Sequence, residues 1–139
     1  MPLFRSEKPL AAAFFLSGIW NLAAAAAYVF LMAPAGTALP GERFNTLFIA
    51  IFLFTFAWLG ILCSFNIRQY LIVVGAVTTG RLLYVLLLGY SLLFVPGFPA
   101  DFWWTGAIDL SWAVLYLVLA ARSSTISVRD LFVPGPEER

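Results

Sequence analysis

Apolar residues in this chain do not alternate with polar ones; they run on for the length of a bilayer. A helix crossing a hydrocarbon core of about 30 Å needs ~20 mostly apolar residues. Four runs of that kind stand between polar or Pro/Gly clusters. The first extends from about Leu10 to Met32 and is closed by Pro34, Gly36 and Pro40. The second, about Phe44 to Cys63, gives way to Ser64, Asn66, Arg68 and Gln69. The third runs from Tyr70 to about Val95 and ends at Pro96, Gly97 and Pro99; the fourth starts near Phe102 and fades at Ala121. A membrane strand would alternate over only ~10 residues. The pattern therefore predicts an all-α, integral membrane four-helix bundle with short loops. It is a single transmembrane domain over 1–139, with spans of about 10–32, 44–63, 70–95 and 102–121 and a short tail, 122–139.

Four spans put both termini on one side. Arg5, Lys8, Arg68, Arg122, Arg129 and Arg139 fall there, against Arg43 on the other, so the positive-inside rule predicts cytoplasmic termini. Trp103 and Trp104 stand where the fourth helix would enter from the outer interface, a place that suits amphipathic rings. The first run has a basic flank and an Ala33, Pro34, Ala35 sequence like a signal cleavage site. Its apolar stretch of ~23 residues exceeds the 7–15 of a signal core, so it is read as a retained span. The run Ala23 to Ala27 reads as a packing face, because small side chains let another helix approach closely. So do the small residues spaced four apart: Ala13 and Ser17, Gly60 and Ser64, Ala76 and Gly80.

Composition narrows the chemistry. Of 139 residues 63% are hydrophobic and 11% charged, and a soluble monomer of this size would leave too much of that apolar surface in water. A net charge of +1 removes the basic footprint that nucleic-acid binding needs. No His and one Cys exclude a disulfide framework, a His or Cys zinc site, His-ligated haem and any His-based triad. Cys63 lies at the cytoplasmic end of the second helix, where palmitoylation is one reading and a small buried hydrophobe the simpler one.

Ionisable groups at membrane depth cost several kcal/mol unless paired or solvated. Arg81 lies roughly 16 Å from the cytoplasmic end of helix three and Asp109 roughly 20 Å from the same side on helix four, by the rise of an α-helix. Adjacent antiparallel helices bring such groups together as a charge-assisted pair. Asn21, roughly 18 Å deep on helix one, reaches the same layer. Helical spacing extends these faces through Ser17 and Tyr28, through Thr78 and Tyr84, and through Thr105, Trp112 and Tyr116. Helix two adds only Thr55 and Trp58, so helices one, three and four are expected to converge on a polar core near the midplane. Arg81, Asp109, Asn21, Tyr84, Trp112 and Tyr28 are the candidate binding residues. The bland alternative is that Arg81 and Asp109 only fix which helix neighbours which, and that the aromatics are packing.

The loop over 33–43 is expected to form a tight cap. In the tail, Ile126, Val128, Leu131, Phe132 and Val133 alternate with Ser127, Arg129 and Asp130, as in a segment lying on headgroups or against a partner before Pro134 to Arg139 trails off.

The stretch Trp58 to Arg122, with LIVVGAVTTGRLLYVLLLGYSL at Leu71 to Leu92 and GAIDLSWAVLYLVLAAR at Gly106 to Arg122, resembles small four-span bacterial membrane proteins. In those, a basic residue in helix three and an acidic one in helix four recur. The likeness covers about half the chain, carries no assigned activity, and implies that Arg81 and Asp109 belong together; the expected location is a bacterial inner membrane. The small multidrug exporters, with a buried Glu in helix one, and the glutathione-linked four-span enzymes, with a polar helix-two motif, are not resembled. The expectation is a non-enzymatic accessory, scaffold or assembly subunit that packs against itself or a larger membrane complex, without cofactor or nucleic acid. The alternative is a small oligomeric transporter or membrane-embedded binding protein for a lipid-like or anionic ligand. An intramembrane enzyme using Asp109 as base stands last.

Overall fold

A computed structural model of the protein describes residues 7–32 and 40–133. The Ala33, Pro34, Ala35 sequence, most of the expected cap over 33–43 and the end of the tail, Pro134 to Arg139, lie outside them. The described residues form four α-helices and no strand: α1 (Lys8–Ala27), α2 (Pro40–Ser64), α3 (Leu71–Phe94) and α4 (Trp103–Arg122). A π-helical turn, Tyr28–Met32, continues α1, and short 3-10 turns occupy Ala100–Phe102 and Val128–Leu131. All four helices are long and apolar enough to cross a membrane.

Local chemistry sets the helix ends. Pro9 sits in the first turn of α1, where its missing N–H has no intrahelical partner to lose. After α3, Pro96 and Gly97 form the centre of a turn closed by the Phe98 N–H on the Val95 carbonyl at 3.2 Å. Gly97 has φ +78°, the left-handed value that a proline-then-glycine turn requires. Thr55, Thr78, Ser91 and Ser111 each donate to the carbonyl four residues earlier. Their hydroxyls are thus satisfied without leaving their own helix.

The helices pack as two pairs, α1 on α2 and α3 on α4, joined along α1 and α4, whereas α2 and α3 scarcely touch. Glycine makes the first pairing possible. A Cβ at Gly18 would lie 3.0 Å from the Ala57 carbonyl oxygen, and one at Gly60 would lie 3.3 Å from the Gly18 Cα. Of the expected small-residue positions, Gly60 is used in this crossing, whereas a Cβ at Gly80 would meet nothing within 4 Å. Within the alanine run only Ala25 is buried. The apolar core occupies the half of the bundle nearest the termini, around Leu10, Phe14, Val74, Tyr116 and Ala120. Cys63 is buried there, as the small-hydrophobe reading has it. Trp103 and Trp104 open α4 with their rings exposed.

The tail packs on its own bundle. Leu131 is fully buried and Ile126 nearly so, both within the core that the helices form. A hydroxyl and a carboxylate hold the last turn: the Arg129 N–H donates to Ser127 Oγ at 3.1 Å and the Ser127 N–H to Asp130 Oδ2 at 2.7 Å. The Leu131 carbonyl sits against Gly75, so close that a Cβ there would collide with its oxygen. Thr125 donates to the Glu7 carboxylate at 3.0 Å, tying the tail to the start of α1. The apolar alternation read as a headgroup or partner face is, for Ile126 and Leu131, an intramolecular one.

Gly75→Val must therefore displace the tail backbone. It is expected to lower the melting temperature in detergent and to open the chain to trypsin at Arg129. Deletion after Ser124 should also destabilise, since one buried Leu removed costs about 2–5 kcal/mol. The Glu7 carboxyl is held below its usual range by its own backbone N–H and then by the Thr125 hydroxyl, with Arg68 and Lys8 adding to the effect. A carboxyl lowered on folding stabilises above its unfolded value, and loses that contribution as pH falls through its folded value. The melting-temperature gap between wild type and Glu7→Gln should accordingly be present at neutral pH and close in acid.

Candidate functional site

Arg81, near the middle of α3, carries the one side-chain charge that is almost fully enclosed among the described residues, with 7% of its side chain exposed. Charge in an apolar interior demands a partner. Arg81 Nη1 bonds Asp109 Oδ1 of α4, whose side chain is 25% exposed, and Nη2 donates to Asn21 Oδ1 of α1 at 3.4 Å. One guanidinium thus ties three helices together. Its Nε–H is buried with no hydrogen-bond partner. Below it, towards the termini, the Tyr116 hydroxyl donates to Ser17 Oγ, which donates to the Phe14 carbonyl at 3.2 Å. Tyr116 is fully buried, meets Phe14 edge to face at 5.4 Å, and lies within electrostatic reach of Arg81.

On the other side of this layer the bundle is hollow. A cavity of about 700 Å³ fills the half away from the termini, with Arg81, Asp109 and Asn21 at its inner end. Its walls differ. The α3 and α4 wall carries Tyr84 and Thr105, whose hydroxyls are 2.6 Å apart. Thr105 donates to the Phe102 carbonyl at 2.7 Å, so Tyr84 is the donor between them. The α2 wall is apolar: Phe48, Phe52 and Phe56 recur every fourth residue, with ring centroids 5.0 Å apart for the first two and 6.5 Å for the next. These phenyls and Leu87 of α3 remain exposed, because the cavity opens sideways where α2 and α3 fail to meet.

Of the six residues predicted from sequence, Arg81, Asp109 and Asn21 come together, and Tyr28 and Tyr84 line the cavity beside them. Tyr28 does so from the π-helical turn that ends α1. Trp112 does not: it stacks on Tyr116 with ring centroids 6.2 Å apart and faces a shallow niche shared with Trp20, Ile108 and Ser111. The α2 wall escaped the sequence reading, which searched for polar groups. Its signal was present as the four-residue spacing of Phe44, Phe48, Phe52 and Phe56. Trp20, another cavity residue, carried no comparable signal. Among the described residues, no three His, Cys, Asp or Glu side chains cluster as metal ligands. No family model, curated protein or solved structure matches the chain.

Arg81→Leu strands Asp109 in a largely apolar site, a defect on the order of 3 kcal/mol for a broken buried pair. Its melting temperature in detergent should fall well below wild type. Arg81→Leu combined with Asp109→Leu should recover most of the loss, and a double variant no better than the single one would show that the two charges are not coupled.

Proposed function

We propose that this chain is an integral membrane protein, cytoplasmic at both ends, that binds an amphipathic, lipid-like molecule in the cavity between its two helix pairs. Orientation rests on Lys8, Arg68, Arg122 and Arg129 at the terminal end against Arg43 at the other. Insertion rests on four long apolar helices whose outward faces carry Phe, Leu and Trp. The cavity itself carries the functional reading. A space of about 700 Å³ falls in the range of ~300–1,000 Å³ typical of small-molecule sites, and a few convergent polar groups on an apolar lining are what such sites use to orient a ligand. Binding rather than catalysis is supported, since the Asp109 carboxylate at the cavity already accepts from Arg81. A transporter would add a route through the membrane, which four helices enclose only as an oligomer.

A second reading, an accessory or scaffold subunit, is favoured by one observation: the Arg81 and Asp109 charges satisfy each other within the chain.

Gly80 separates the two. It borders the cavity and has open space at its Cβ position, so Gly80→Leu puts a side chain at the site without a clash at its Cβ. The variant should fold, with about 1 kcal/mol gained from losing a mid-helix glycine. Delipidated wild type should gain melting temperature when a total membrane lipid extract is added back, and Gly80→Leu should gain much less. Equal responses would favour the scaffold.

A further inference from the structure

We infer that the cavity takes a single-chain amphiphile of no net charge, whose head carries a hydroxyl, drawn in sideways between α2 and α3. The inference rests on the binding role proposed above and narrows its ligand. Three observations carry it. First, the inner end of the cavity is electrically closed: Arg81 is neutralised by Asp109, so an incoming anion or cation would lose its hydration without finding a free counter-charge. Second, the polar layer still offers contacts to the cavity: the Asp109 side chain is 25% exposed and borders it, and the Tyr84 and Thr105 hydroxyls line the adjoining wall, so a hydroxyl-bearing head finds hydrogen-bond partners there. Third, the α2 wall is built of neighbouring phenyls, Phe48, Phe52 and Phe56, with no ionisable residue. Such a wall suits an acyl chain or flat apolar body, and the volume suits one chain of it.

The route follows from the exposure of the wall. Phe48 and Phe52 are each about half exposed, 50% and 51%, on the side where α2 and α3 part. In a bilayer that side faces hydrocarbon, so a ligand reaches the cavity laterally from lipid, and its head comes to rest at the Arg81 layer.

The test uses the full chain in phosphatidylcholine nanodiscs with a diazirine-bearing monooleoylglycerol as probe. Trypsin after Arg43 and Arg68 releases the whole α2 wall as one peptide, in which the photolabel is located by mass spectrometry. Label should fall on the stretch containing Phe48, Phe52 and Phe56 in wild type and be lost in Gly80→Leu. Competition then ranks unlabelled monooleoylglycerol against oleyl sulfate and oleyltrimethylammonium, which share the chain but carry fixed charges. Monooleoylglycerol should displace the probe at a concentration about tenfold below either. A charged competitor that equals or surpasses it overturns the head-group inference while leaving lipid binding standing. Labelling of α2 that Gly80→Leu does not reduce overturns both. Asp109→Asn, which uncovers the Arg81 charge, should move the preference to oleyl sulfate, and an unchanged ranking in that variant also counts against the inference. Should that variant fail to fold, the wild-type ranking decides alone.

Discussion

A guanidinium inside an apolar bundle leaves few arrangements open. Its hydration is gone, so every helix that can offer a carboxylate or an amide oxygen is drawn to it, and Arg81 accordingly gathers Asp109 from α4 and Asn21 from α1. This layer also divides the molecule. Towards the termini the side chains interlock around Phe14, Val74 and Tyr116, and the tail closes the end with Leu131. Away from the termini the two helix pairs separate around the cavity.

The division has a steric cause. At one end Gly18 and Gly60 let α1 and α2 approach to backbone contact, and Gly75 admits the Leu131 carbonyl. At the other, Phe48 and Phe52 of α2 line the cavity that separates it from α3, and no such backbone approach occurs. Gly80 borders that cavity yet has open space around it, which shows that one glycine without a matching small residue opposite does not bring helices together. Chain economy contributes too. The tail supplies two apolar side chains, Ile126 and Leu131, to the filled half, and nothing equivalent is supplied to the hollow one among the described residues.

The electrical character of the cavity follows from the same layer. Arg81 alone would make an anion site and Asp109 alone a cation or proton site; joined, they leave a polar but neutral end. The selectivity proposed for an uncharged head would follow from the same pair that holds the helices.

Much of the architecture was legible before any coordinates. Four long apolar helices, their approximate limits, the turn at Pro96 and Gly97, and the three polar residues at one depth all follow from hydropathy, turn chemistry and the fixed rise of a helix, which are local properties of the chain. Pairing was decided in three dimensions. Nothing local says that α2 and α3, joined by a short loop, part rather than pack, or that Ile126 and Leu131 turn inward instead of towards headgroups or another protein. Periodicity puts Trp112 on the same helix face as Asp109, but the side it presents to the cavity depends on where α3 and α1 come to rest, and they leave it against Tyr116. A hollow is the extreme case, because it is made by side chains on different helices failing to touch, a property of distances between segments that no single segment encodes.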